Sequence, residues 1–94
     1  MSKEDILVAY RSACSRLSDN HRELGAVNQA IISARSSAYS QATAAGLAVT
    51  AARESAEAAV AHFKADAALL QGDIDAELAT LRWLDVHLAH LDEG

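Results

Sequence analysis

The chain has 94 residues, with 22 alanines, 11 leucines, no proline, four glycines and four aromatic residues. That length bounds it to one small domain, and the composition excludes a β-sandwich, a collagen-like repeat or a loop-rich scaffold. A hydrophobic fraction of 51% excludes a disordered chain, and the net charge of −5 disfavours a general nucleic-acid binder because acidic surfaces repel phosphate.

The charge is unevenly placed. Residues 1–47 are close to neutral, at +1, whereas residues 48–94 carry −6. Cations of the first half facing acids of the second fit two segments packed side by side. The opening MSKEDILVAY carries two acids and no continuous apolar run, so no signal peptide is expected and a cytoplasmic location, or one within a larger assembly, follows.

The first predicted element is a long helix over about residues 3–45. Ile6, Tyr10, Ala13, Leu17, Asn20, Leu24, Val27, Ile31, Ala34, Ala38, Gln41 and Ala45 alternate spacings of four and three, which places them on one helical stripe. A turn is predicted at about 46–48, because Gly46 can take the left-handed conformation that ends a helix, with Leu47 after it. The second helix is predicted over about 49–92, with Thr50 as its cap. Its stripe runs Val49, Ala52, Ala56, Ala59, Phe63, Ala67, Leu70, Ile74, Glu77, Leu81, Leu84, Leu88 and Leu91, with a phase slip between Ala59 and Ala67.

The fold class expected is therefore all-α: a long antiparallel, coiled-coil-like hairpin forming a single domain over 1–94. Residue size agrees, since both stripes are mostly alanine near Gly46 and mostly leucine and isoleucine away from it. Reflection about the turn sets Tyr10 opposite Trp83 and Leu24 opposite Leu69. The competing arrangement is a compact three- or four-helix fold with breaks at Asn20, which has capping spacing to Glu23, and at Gly72-Asp73.

The core or interaction residues expected are Tyr10, Leu17, Leu24, Ile31, Leu70, Ile74, Leu81, Trp83, Leu84 and Leu88. Asn20, Gln41 and Glu77 are polar residues at stripe positions, where they specify register at a cost in stability. Leu7, Ile32, Leu69, Leu78 and Val86 fall outside the stripes and each gains about 1.5–3 kcal/mol if a partner covers it. A homo-oligomer, most simply two hairpins in a four-helix bundle, is expected.

The chain carries little that points to chemistry. His87 and His90 are three apart on a helix and are weak metal candidates without a third ligand. The Glu-x-x-His motif of di-iron bundles is absent, as is the His-Glu-x-x-His motif of zinc proteases. Cys14 has no sequence-local base or CxxC partner and is expected to fill a small packing position. No glycine-rich phosphate loop or Gly-x-Ser-x-Gly elbow occurs, so neither enzymatic activity nor a cofactor is expected. Residues 36–52 carry no charge, but their Ala, Ser, Thr and Gln content is too weakly apolar to span a bilayer.

In size and hairpin outline the chain is similar to the small Trp-x-Gly proteins of type VII secretion. That family has Trp-x-Gly in its central turn, whereas Trp83 is followed by Leu84-Asp85, and neither Tyr10 nor Tyr39 has an acid four residues on. No residue role carries over.

The function expected is a non-enzymatic helical scaffold or adaptor acting through coiled-coil self-association. The excess of arginine over lysine with high alanine suggests a bacterial or bacteriophage structural component. The alternatives are a small acidic chaperone or regulator that binds a protein partner through an exposed helical face, and a histidine-dependent metal-binding bundle.

Overall fold

The computed structural model describes residues 2–93; Met1 and Gly94, which the expected single domain includes, lie outside the described residues. Two long helices, α1 (Lys3–Ala44) and α2 (Val49–Glu93), form a helical hairpin, and no strand occurs among the described residues. Both helices run without interruption, α1 through Asn20 and α2 through Gly72, which removes the compact three- or four-helix alternative. Glycine in a helix interior costs about 1 kcal/mol, too little to break a helix whose neighbouring turns are packed.

The N-terminus of α1 is closed by a reciprocal cap. Asp5 N–H donates to Ser2 Oγ at 3.1 Å and Ser2 N–H donates to Asp5 Oδ2 at 3.3 Å. This capping box satisfies amides that the helix itself leaves unpaired. The Ser2 hydrogen bonds hold the Asp5 carboxyl below the ordinary carboxylate range.

Gly46 ends α1 as expected. Its φ is +88°, Gly46 N–H donates to Thr43 O and Leu47 N–H donates to Ala42 O, both at 3.0 Å. That pair of bonds is a Schellman motif, and the left-handed backbone is where glycine avoids the Cβ clash. The start of α2 differs from expectation. Ala48 O already accepts from Ala52 N–H at 2.9 Å, so Ala48 occupies the cap position and Thr50 lies within the first turn.

The packing divides into two units: α1 up to Glu23 with α2 from Leu70 onward, and Leu24–Leu69 around the turn. In the first unit Ile6, Ala13, Ile74 and Leu84 are buried, and Tyr10, Leu17, Asn20, Leu70, Glu77, Leu81 and Leu88 are half-buried. This is the expected stripe in strict alternation of four and three as far as Leu88; Leu91, its expected last member, is exposed. In the turn unit Ala42, Ala52, Ala56 and Val60 are buried, with Leu24, Val27, Ile31, Ala34, Ala38, Phe63 and Ala67 half-buried.

The turn unit corrects the sequence frame: Ala45 and Val49, expected on the stripes, are exposed, and on each side of them the inward residue shifts by one. Ala42 is buried and Gln41 exposed; Val60 is buried and Ala59 exposed. Each helix therefore takes one additional step of four, over 34–38–42 in α1 and 52–56–60 in α2. Three steps spanning 11 residues average 3.67 residues per turn, close to the straight α-helix, so this spacing relaxes the left-handed supercoil that a seven-residue repeat imposes. The two matched insertions flank the turn from both sides. The phase slip anticipated in α2 is real, but it falls earlier than predicted and has a counterpart in α1.

Candidate functional site

The polar contacts that fix the pairing lie on the seam edges. In the unit containing both chain ends, Arg16 forms a fork on Glu77: Nε donates to Oε1 at 2.6 Å and Nη2 to Oε2 at 3.3 Å. Glu77 sits at a stripe position and its side chain is only 17% exposed, so its charge is met by the one planar donor able to bind both oxygens. This gives Glu77 the geometry of a register-setting residue, because sliding the helices by one turn would leave a half-buried carboxylate unpaired. Asn20 is half-buried and lines, with Arg16, Asp19, Glu23, Asp73 and Glu77, a polar groove of about 420 Å³. Gln41, the third residue assigned this role, is exposed, and the role does not hold for it.

In the turn unit Glu57 is held between two cations. Lys64 Nζ donates to Glu57 Oε2 at 2.8 Å, and Arg35 Nη2 donates to the same oxygen at 3.4 Å. Arg35 Nε also lies 2.9 Å from Glu57 Oε1, but its N–H is not directed at that oxygen or at any other acceptor, so that approach is electrostatic only. The Lys64 bond first, then Arg35, hold the Glu57 carboxyl below the ordinary carboxylate range. Beside this ion group runs a groove of about 580 Å³, lined by Ile32, Arg35, Tyr39, Arg53, Ala56 and Glu57.

Near the chain ends, Tyr10 is half-buried and the Asp85 charge pushes its hydroxyl above the ordinary phenol range. The pairing expected by reflection, Tyr10 against Trp83, is thus replaced by Tyr10 beside Asp85. Trp83 is 49% exposed, so it does not close the core at this end. Leu69, expected opposite Leu24, is likewise turned out, at 71% exposed, while the next residue Leu70 is half-buried. A one-residue change of register on a helix rotates a side chain by about 100°, which is enough to move it off the seam.

The indole of Trp83 stacks on His87, with ring centroids 3.8 Å apart at 34°. His87 Nδ1 lies 3.0 Å from Trp83 O; since a carbonyl only accepts, Nδ1–H is the donor, and Nε2 is left as the remaining ring nitrogen. Ile6, Trp83, His87, His90 and Leu91 line a groove of about 430 Å³ there. Among the described residues no three His, Cys, Asp or Glu side chains come together in a way that could hold a metal ion. Cys14 is exposed rather than packed, and it is not disulfide-bonded.

No helix among the described residues is long and apolar enough to cross a membrane. Compared with family models, curated proteins and solved structures, the chain gives no match.

Two features escaped the sequence reading. The Ser2–Asp5 capping box had a legible signal, serine followed three residues later by an acid at the head of an amphipathic run. The outward placement of Trp83 also had one: it lies next to Leu84 on the helix, and Leu84 already occupied the seam.

Proposed function

We propose that the protein is a non-enzymatic assembly component, a scaffold or adaptor that works as a homo-oligomer of helical hairpins. One observation carries this reading. Among the described residues only four large apolar side chains are buried, namely Ile6, Val60, Ile74 and Leu84, while nine are exposed. Each of these exposed side chains contributes about 1.5–3 kcal/mol if a partner covers it fully, so association offers the hairpin apolar burial that its own seam does not supply. A two-helix seam covers only one stripe of each helix and leaves the opposite faces open to a partner. Two hairpins joined as a four-helix bundle form the simplest closed solution.

The expected signature is a melting temperature that rises with protein concentration, because association stabilises the folded state by mass action. A melting temperature independent of concentration over a hundredfold range, with a monomer mass throughout, would overturn the proposal.

A second reading, in which the hairpin captures a protein partner, draws support from the Ile32–Tyr39 groove, an apolar trough edged by Arg35 and Arg53. Under that reading Tyr39→Ala abolishes capture while leaving the oligomeric mass unchanged; equal capture by both proteins contradicts it.

A further inference from the structure

The self-association proposed above leaves open which surface the copies share, and one face of α2 has the pattern of a self-complementary seam. At 100° per residue, Gly72, Ala76, Ala79, Trp83 and Val86 fall within an arc of about 80° on α2, turned away from buried Ile74 and Leu84. All five are exposed, Val86 at 55%. Gly72 is the smallest member: it sits in mid-helix with an ordinary φ, and, as at Gly25, nothing among the described residues lies within 4 Å of where a Cβ would stand. The space above its backbone is open to a side chain from another copy.

We infer that α2 packs antiparallel against α2 of a second copy, about a two-fold axis passing close to Ala79. That operation places each large side chain over a small one: Trp83 over the partner's Ala76, and Val86 over the partner's Gly72. Ala79 meets the partner's Ala79 at the axis, where two small residues let the backbones approach closely. An isologous contact requires this self-complementarity, large at one end of the patch and small at the other.

The charges obey the same operation. A two-fold axis perpendicular to antiparallel helices brings the same flank of each into contact, and Asp75 and Arg82 share a flank of this face. Asp75 therefore meets the partner's Arg82, and Arg82 meets the partner's Asp75. Among the described residues Arg82 is exposed and outside the ion pairs of the seam edges, while Asp75 accepts from Gln71 Nε2 at 3.1 Å. On α1 the exposed large apolar residues do not form such a set: Val8 and Ile32 are 24 positions apart and belong to different packing units.

The test uses the full chain with Cys14→Ser as background, since Cys14 is exposed. Ala79→Cys is expected to give a disulfide-linked dimer on mild oxidation, and Ile32→Cys to give none. Arg82→Asp is expected to weaken the dimer by about tenfold or more, because both symmetry-related pairs are reversed at once, and adding Asp75→Arg restores it. Circular dichroism checks that each variant remains helical. An oligomeric mass for the background protein with no Ala79→Cys cross-link and no effect of Arg82→Asp would overturn this surface while leaving self-association standing. A monomeric mass for the background protein would overturn both.

Discussion

The carboxylates of this protein differ in what they do, and the difference is set by their neighbours. Glu57 is met by Lys64 and Arg35, which hold its pKa below that of an unfolded glutamate. A carboxyl with a depressed folded-state pKa stabilises the fold above its unfolded pKa, and that stabilisation is lost as pH falls through the folded value. Thermal melts therefore show stability falling on acidification below the ordinary carboxylate range, and Glu57→Gln shows a smaller fall; an identical pH profile in the variant contradicts the assignment. Among apolar residues, burial decides the cost of truncation. Ile74→Ala and Leu84→Ala, both at buried positions, are expected to cost about 2–4 kcal/mol each, whereas Gln41→Ala changes stability by about 0.5 kcal/mol or less. Denaturant unfolding of the three variants measures this directly.

At the scale of the helices, most of the pattern was readable because leucine and isoleucine mark a face unambiguously. From Ile6 to Ala38 and from Phe63 to Leu88 the residues that face inward are those the alternation of four and three selects. The frame fails where alanine dominates, since Ala42 and Ala59 look equally suited to the seam or to solvent, and only packing distinguishes them. A seven-residue frame extended through that region puts Gln41 and Ala59 inside, whereas the added step of four in each helix brings in Ala42 and Val60. Ala52 is fully buried in the seam and borders none of the grooves described above, so Ala52→Leu is expected to destabilise by about 1–3 kcal/mol. The turn is equally specific: Gly46→Ala is expected to cost about 1–2 kcal/mol because φ is +88°, while Gly25→Ala, at an open helical site, raises stability. Equal melting temperatures for the two glycine variants would count against the turn assignment.

For the molecule as a whole, the fold was legible and the role much less so. A heptad with a central glycine specifies a hairpin, but the same pattern serves any protein that works through helix pairing. The candidate surfaces were the least legible part. An aromatic near a stripe usually packs inward, which puts Trp83 on the expected seam, yet Leu84 takes that position and Trp83 is 49% exposed. Chemistry-bearing residues are sparse, and the two ion-paired groups of the seam edges account for Arg16, Arg35, Glu57, Lys64 and Glu77 in structural terms. What is left over is apolar surface, which is why association is central to this account. Sedimentation equilibrium of the full chain at micromolar concentration tests it most directly. Self-association of the hairpins gives a mass of twice 9.9 kDa or a higher whole-number multiple; a single species at 9.9 kDa across the concentration range would contradict it.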